Sequence, residues 1–261
     1  MKNINQIINL NLHPINLSKE YINNCRKKLT NNSVLQLDNF LSSQSLNNIQ
    51  NEAIFLHSKA FYCSQNHTVL LNKKNFDLDV PDPCNIEIKS DKGCVPHDLI
   101  SKKSDLSILY NSKDFKNFLA QVLNIDEIYP YKDKLSSINY NYYEKGQQLG
   151  WHFDNASFAV TLMIQSPDSG GVFQYIKEGR DYKKNFIDKN LIQSVLDNEY
   201  SVNELNVKPG TLILFYGKNY LHRVTPVKSD KCRILVTLNY NIEKDIELSE
   251  NARMTFFGRI N

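Results

Sequence analysis

Between residues 136 and 241 the chain reads six times over as a short strand, and this rhythm limits its fold more than any other feature. The segments are SSINYNYYE, FAVTLMIQ, GVFQYI, TLILFYG, HRVTPV and CRILVTLNYN. They are rich in β-branched and aromatic residues, and turn-forming runs such as SPDSGG and VKPG fall between them. What precedes them has a different period. SKEYINNCRKKL, SSQSLNNIQNEAIFLHSKAF and KDFKNFLAQVLNI carry apolar residues at helical spacing, with Ser42 or Ser43 placed to cap the second. A helical part followed by closely spaced strands predicts an α+β fold, with helices packed on an antiparallel barrel or sandwich.

The expected organisation is one domain over residues 1–261. Residues 1–130 should be mainly helix and loop, with a long ordered loop at NKKNFDLDVPDPCNIEIKSDKGCVPHD, and residues 131–261 should form the β core. A polar insertion at about 177–205 interrupts the strands, and its NLIQSVLDN suits a short helix. It reads equally as a lid over a pocket mouth and as a surface excursion.

Composition excludes several classes. Hydrophobic residues make up 41% of 261, enough for a packed core without disulfides. The net charge is only +3 and the lysines are scattered, so no phosphate-tracking face is expected and no nucleic-acid partner. The opening MKNINQIINLNLHPIN is broken by asparagines and is no signal peptide, and no apolar run is long enough to span a bilayer. Five cysteines, an odd number without CxxC, fit a reduced, cytoplasmic protein. Cys84, Cys94 and His97 lack an obvious fourth ligand for zinc. A homodimer is compatible with the sequence.

The chemistry lies in LGWHFDNASF. His152 and Asp154 are two residues apart, which puts them on one face of an extended segment. Alone, an HxD pair is weak evidence. His222 follows 70 residues later at the start of HRVTPV, and Arg233 comes 11 residues after that. Two imidazoles and one carboxylate on neighbouring strands can occupy one face of an octahedral Fe(II) and leave three positions open. Arg233 on the last strand would point into the barrel, where its planar fork suits a carboxylate. A dicarboxylate such as 2-oxoglutarate could then chelate iron at one end and meet Arg233 at the other.

This layout resembles the Fe(II)/2-oxoglutarate-dependent oxygenases. YEKGQQLGWHFDNASFAVTLMIQSPDSGGVFQYI, KPGTLILFYGKNYLHRVTPV and the tail RMTFFGR resemble the small bacterial branch containing free-lysine halogenases and related amino-acid hydroxylases. The likeness runs from about residue 128 to 259. It implies a double-stranded β-helix, or jelly-roll, core under the N-terminal helical layer. His152, Asp154 and His222 would hold Fe(II), with 2-oxoglutarate and dioxygen as cosubstrates and ascorbate as a supporting reductant. Halogenases of that branch have Gly or Ala at the carboxylate position, which makes room for chloride. Asp154 fills that place, so the resemblance implies a hydroxylase acting on an unactivated C–H bond, with decarboxylation of 2-oxoglutarate to succinate and CO2. The implied substrate is a free amino acid, foremost lysine or another cationic one. The alternative is a peptide-, protein- or carrier-bound residue.

Parity assigns the second rank of residues. Arg233, Leu235, Thr237 and Asn239 share one strand face, and Ile234, Val236, Leu238 and Tyr240 the other, which should pack on the helices. By the resemblance, Thr237 and Asn239 contact substrate; they also fit as barrel residues bonded to one another. Asn139, Asn141 and Tyr143 share a face, with Asn141 a substrate candidate. Tyr143 reads as a contact to 2-oxoglutarate or substrate, or as a core tyrosine with a satisfied hydroxyl. Asn155 aligns with a substrate-ammonium contact of the family, where an acid would be expected. Trp151 points away from His152 and reads as packing. His13, His57, His67 and His97 lack ligand spacing and read as surface or loop residues, with His67 and His97 candidates for the pocket rim. The family binds the substrate carboxylate with a basic residue of the N-terminal half; Lys73, Lys74, Lys89 and Lys92 are the candidates.

Overall fold

The computed structural model describes residues 3–78 and 81–261, so residues 79 and 80 of the loop expected over 72–98 lie outside the described residues. Four N-terminal helices form where serines cap them: α1 (Lys19–Asn32), α2 (Ser43–Leu56), α3 (Asp105–Asn111) and α4 (Lys113–Leu123). Ser18, Ser42, Ser104 and Ser112 each accept a first-turn backbone N–H. Of the two candidates for α2 the cap is Ser42. Each helix buries one stripe, such as Ile49, Ala53 and Leu56 on α2 and Phe115, Phe118 and Val122 on α4.

Eleven strands build two antiparallel sheets. They are β1 (Val34–Leu37), β2 (Phe61–His67), β3 (Ile88–Val95), β4 (Ile138–Tyr143), β5 (Leu149–His152), β6 (Ala159–Gln165), β7 (Phe173–Tyr175), β8 (Asn203–Leu205), β9 (Leu212–Phe215), β10 (His222–Val224) and β11 (Arg233–Leu238). The larger sheet runs β1-β9-β6-β11-β4-β3-β2 and the smaller β8-β7-β10-β5. From β4 onward the chain crosses between sheets at nearly every step, which makes the jelly roll.

The helices cover the outer face of the larger sheet. Ile234, Val236, Leu238 and Tyr240 are buried there among helical residues, as parity requires. Tyr140 and Tyr142 of β4 also face the helices, and their hydroxyls donate to Glu52 Oε2 and the Ala53 carbonyl, both at 2.8 Å. The inner faces, with Asn139, Asn141 and Tyr143 on β4, are left to line the interior.

The N-terminal part differs from the expectation of mainly helix and loop. It supplies β1, β2 and β3, and the expected loop over 72–98 contains the eight-residue β3. The reason is that β2 and β3 turn mostly polar side chains toward the interior. Cys63, Gln65 and His67, then Ser90, Lys92 and Cys94, point inward, so neither strand shows apolar alternation. His13 is also no surface residue. It is buried, with Nδ1 2.7 Å from Tyr21 Oη and Nε2 2.8 Å from the Asp38 carbonyl.

The insertion is structured. Arg180–Asp181 pairs with Phe186–Ile187, and α5 (Lys189–Leu196) follows. Ile192 and Val195 of α5 pack with Trp151, Phe153 and Ile176 on the outer face of the smaller sheet. Trp151 is thus a packing residue, with the Arg223 guanidinium 4.7 Å from its ring. A final helix, α6 (Glu250–Phe257), lies against β2 and β3. Among the described residues no helix is long and apolar enough to cross a membrane.

Candidate metal centre and active site

His152 ends β5 and His222 begins β10, and the two are directly paired across the smaller sheet. Both side chains point between the sheets, with ring centroids 4.2 Å apart. Asp154, two residues past the strand end, places Oδ1 3.5 Å from His152 Nε2 and 3.6 Å from His222 Nε2. One ion bonded at about 2.1 Å to each would draw the donors to about 3 Å apart, a small adjustment. His152 Nδ1 donates to the Gly150 carbonyl at 2.7 Å and His222 Nδ1 to that of Tyr220 at 2.9 Å. Each ring proton is therefore held on Nδ1, and each Nε2 lone pair faces the aspartate.

The surroundings keep the donors in the binding state. Phe215 and Phe173 pack on His222, with centroids 4.9 and 5.6 Å away. Burial first, then the neighbouring His152, pushes the His222 pKa down to about 4, against the pull of Asp154. For Asp154, burial opposes ionisation, but His222, His152 and Lys92 together hold its pKa below the usual value. Two imidazoles and one carboxylate are a donor set that suits Fe(II).

Gly217 makes room for the carboxylate. Its carbonyl accepts from the Asp154 backbone N–H at 3.0 Å, and a Cβ built on it would lie 1.7 Å from Asp154 Oδ2. Gly217→Ala should therefore displace the carboxylate and weaken metal binding by about 10–100-fold, the usual penalty for disturbing the support of a ligand. Equilibrium dialysis against Fe(II), with a melting curve to verify folding, measures this; unchanged affinity would contradict the role given to Gly217.

Arg233 lies at the other side of the cavity. It is 2% exposed, and its Nε donates to the Gly171 carbonyl at 3.1 Å. Nη1 is buried without a hydrogen-bond partner, and the guanidinium sits 5.3 Å from the Tyr143 ring. Burial lowers its pKa, with Tyr143 opposing. A buried cation with an unspent donor fits the free carboxylate of a chelating dicarboxylate.

These groups share one cavity of about 310 Å³. His152, Asp154, His222, Arg233, Tyr143, Asn141, Thr237 and Asn239 all line it. The register explains this, because Arg233, Leu235 and Thr237 stand opposite Tyr143, Asn141 and Asn139. Asn239 also satisfies the wall, donating to the Ser136 carbonyl at 2.6 Å and to Asn139 Oδ1 at 3.1 Å. Asn155 is exposed in the turn after Asp154 and is not among the described residues that line the cavity. No described residue of the insertion lines it either. His67 does, bonded to Ser90 Oγ at 2.6 Å; His97 does not.

Of the four candidate lysines, Lys92 reaches the cavity, and its Nζ donates to Asn141 Oδ1 at 2.7 Å. Burial disfavours its charged form, but Tyr143, Cys94, Cys63 and Asp154 outweigh this and raise its pKa. Lys89 instead pairs with Asp91 at 2.7 Å, and Lys74 lies over the Phe76 ring. Sequence reasoning missed Gln65, Ser136 and the α6 residues Phe256 and Phe257, which complete the wall. For Gln65 the parity of FYCSQNH was available as a signal, had that segment been read as a strand.

A family model described as halogenase D matches residues 17–256. No curated protein matches the chain. Among solved structures, the chain is similar to a 2OG-Fe(II) oxygenase family oxidoreductase from Burkholderia pseudomallei, with TM-score 0.56 and 12% identity over 88% of this chain and 95% of that one. It is also similar to a Pseudomonas putida prolyl-4-hydroxylase, with TM-score 0.51 and 11% identity over 83% and 96%. A prolyl hydroxylase from Trichoplax adhaerens, in complex with a hypoxia-inducible-factor peptide fragment, gives TM-score 0.53 and 15% identity over 85% and 90%. At such identities the likeness is one of fold.

Proposed function

We propose that this chain, which belongs to the halogenase D family, is an iron- and 2-oxoglutarate-dependent dioxygenase that hydroxylates a small free amino acid. The observation that carries this reading is Asp154, whose Oδ1 stands within 3.6 Å of both histidine Nε2 atoms. A carboxylate in that position takes the coordination place that a halide would need, so hydroxylation is favoured over halogenation within the family. When bound with dioxygen, iron and 2-oxoglutarate supply an oxidant able to attack an unactivated C–H bond, while 2-oxoglutarate is decarboxylated to succinate and CO2.

The chain's own residues do the rest. His152, Asp154 and His222 would hold the metal by one face and leave the other open. Arg233 would pair with the distal carboxylate of 2-oxoglutarate, beside Tyr143. Phe173 and Phe215 keep water from the histidine side of the cavity. Thr237, Asn239 and Asn141 form a polar wall against which a substrate can be oriented. Leu248, Phe256 and Phe257 add an apolar wall to a cavity of about 310 Å³, a size that favours a small metabolite over a peptide.

The test is incubation with Fe(II), 2-oxoglutarate, ascorbate and chloride against a panel of free amino acids. Lysine belongs in the panel because the sequence resembles free-lysine enzymes. One amino acid should gain the mass of a single oxygen with matching succinate. A chlorinated product would overturn the hydroxylase reading, and succinate never rising above the substrate-free background would overturn the substrate class.

A further inference from the structure

His67 lines the cavity beside the metal donors, yet both of its ring nitrogens are spent on the protein. It is buried at the end of β2, with its ring centroid 6.1 Å from that of His152. Chemistry fixes the direction of each bond around it. The Thr68 carbonyl can only accept, so Nδ1 carries the proton and donates to it at 2.8 Å. Burial lowers the His67 pKa against the pull of that carbonyl, which keeps the ring neutral and leaves a lone pair on Nε2. Ser90 Oγ stands 2.6 Å from Nε2 and donates its hydroxyl proton there. The same oxygen accepts the Gly150 backbone N–H at 2.9 Å. The Gly150 carbonyl in turn accepts the Nδ1 proton of His152 at 2.7 Å. These hydrogen bonds all point one way, from His152 through Gly150, Ser90 and His67 to Thr68.

The packing makes Gly150 a fixed joint in this row. β3 and β5 belong to different sheets, and β5 is the edge of the smaller one. The two strands meet closely at Gly150, where a Cβ would lie 2.2 Å from Ile88 Cγ2 and 2.7 Å from the Lys89 carbonyl. That approach brings the Gly150 N–H onto Ser90. Beside it the Asp91 N–H donates to the Gln148 carbonyl and the Gln148 N–H to Asp91 Oδ1, both at 2.9 Å. β5 is therefore held by β10 along one edge and by β3 along the other. The Gly150 carbonyl sets the plane of the His152 ring, so whatever fixes Gly150 fixes the direction of the Nε2 lone pair.

We propose that His67 and Ser90 are positioning residues of the metal centre: bonded to one another, they hold Gly150 and through it aim His152 at the metal. They come from β2 and β3, so strands that supply no metal donor set the geometry of one. This inference rests on the metal site of the proposed function.

The test combines Fe(II) affinity, by dialysis without oxygen, with the histidine ring N–H signals in nitrogen-15 NMR of the metal-free protein. Ser90→Ala should weaken Fe(II) binding by about tenfold or more, the usual cost of disturbing the support of a ligand. His67→Phe keeps the bulk of the ring and should weaken it by at least about threefold, the weight of one hydrogen bond. Because His67 acts through Ser90, adding His67→Phe to Ser90→Ala should cost nothing further. In the metal-free variants the His152 ring N–H signal should shift and that of His222 should stay in place. Losses that multiply in the double variant would overturn the proposal. So would a His222 signal that moves as far as that of His152, because the variants would then merely loosen the core. Should Ser90→Ala fail to fold, His67→Phe decides alone by its affinity and its ring signals. Iron bound as tightly by the folded variants as by the native protein would sink this inference and leave the proposed function standing. Native protein that binds no iron would sink both.

Discussion

Replacing His222 with alanine should abolish turnover and lower Fe(II) affinity by more than the about 10–100-fold that loss of a supporting hydrogen bond costs a metal site. His222 contributes one of three donors, its Nε2 is aimed at Asp154 Oδ1 from 3.6 Å, and its Nδ1 is tied to the Tyr220 carbonyl. No other described cluster of histidine, cysteine and carboxylate groups is placed to take its role. Dialysis for iron content and succinate release for turnover measure the effect; a variant with full iron and full activity would remove His222 from the site. The native protein adds a pH signature. Burial depresses the His222 pKa to about 4, so the imidazole stays neutral and able to bind as pH falls from 7. Protonation of His222 itself should therefore limit iron uptake only as the pH comes within about a unit of that value.

The second large effect is expected at Arg233. Removing one partner of a buried ion pair costs about 3–5 kcal/mol, so Arg233→Met should raise the Kd for 2-oxoglutarate by roughly two to three and a half orders of magnitude. Stability should move the other way. In the ligand-free protein the guanidinium is 2% exposed, and Nη1 has no hydrogen-bond partner. An apolar side chain of similar length relieves that burden, so the free variant should melt at or above the temperature of the native protein. Native protein should gain stability on adding 2-oxoglutarate, as any ligand of the folded state confers, and the variant should not. Melting curves with and without 2-oxoglutarate separate the two effects; equal stabilisation of both proteins would deny Arg233 its carboxylate.

Much of this was legible in the sequence because the core strands have one apolar face. In β11, Ile234, Val236 and Leu238 meet the helices while Arg233 and Thr237 meet the cavity, so the period of two survives in the letters. His152, Asp154 and His222 were readable because a metal demands particular side chains at particular spacing. β2 and β3 were hidden by the same physics. Their inner residues Gln65, Ser90 and Lys92 are polar, and the outer ones, Ser64 and Asn66 in solvent and Asp91 and Gly93 buried, are not apolar either, so no hydrophobic period marks them. Lys92 could not be chosen among four lysines, because what separates it from Lys89 is a strand register. Gly217 reads as one more turn glycine until Asp154 is found above it. Ser136 and Phe256, 120 residues apart in the chain, line one cavity, which only the folded structure brings about.

The edge position of β2 and β3 has a consequence for how such a protein could change over generations. β2 pairs only with β3, and β3 pairs with β4 along three residue pairs, Gly93–Tyr142, Cys94–Asn141 and Val95–Tyr140, and is further tied to β5 by hydrogen bonds of Asp91 and Ser90 with Gln148 and Gly150. The metal donors and Arg233 belong to the closed part of the roll, whereas Lys92 and Gln65 ride on this outer flap. Mutations in two edge strands could therefore trade one substrate for another while the oxidising apparatus is inherited intact. Natural variation and directed selection for new substrates should both concentrate in residues 61–67 and 88–95, outside His67 and Ser90.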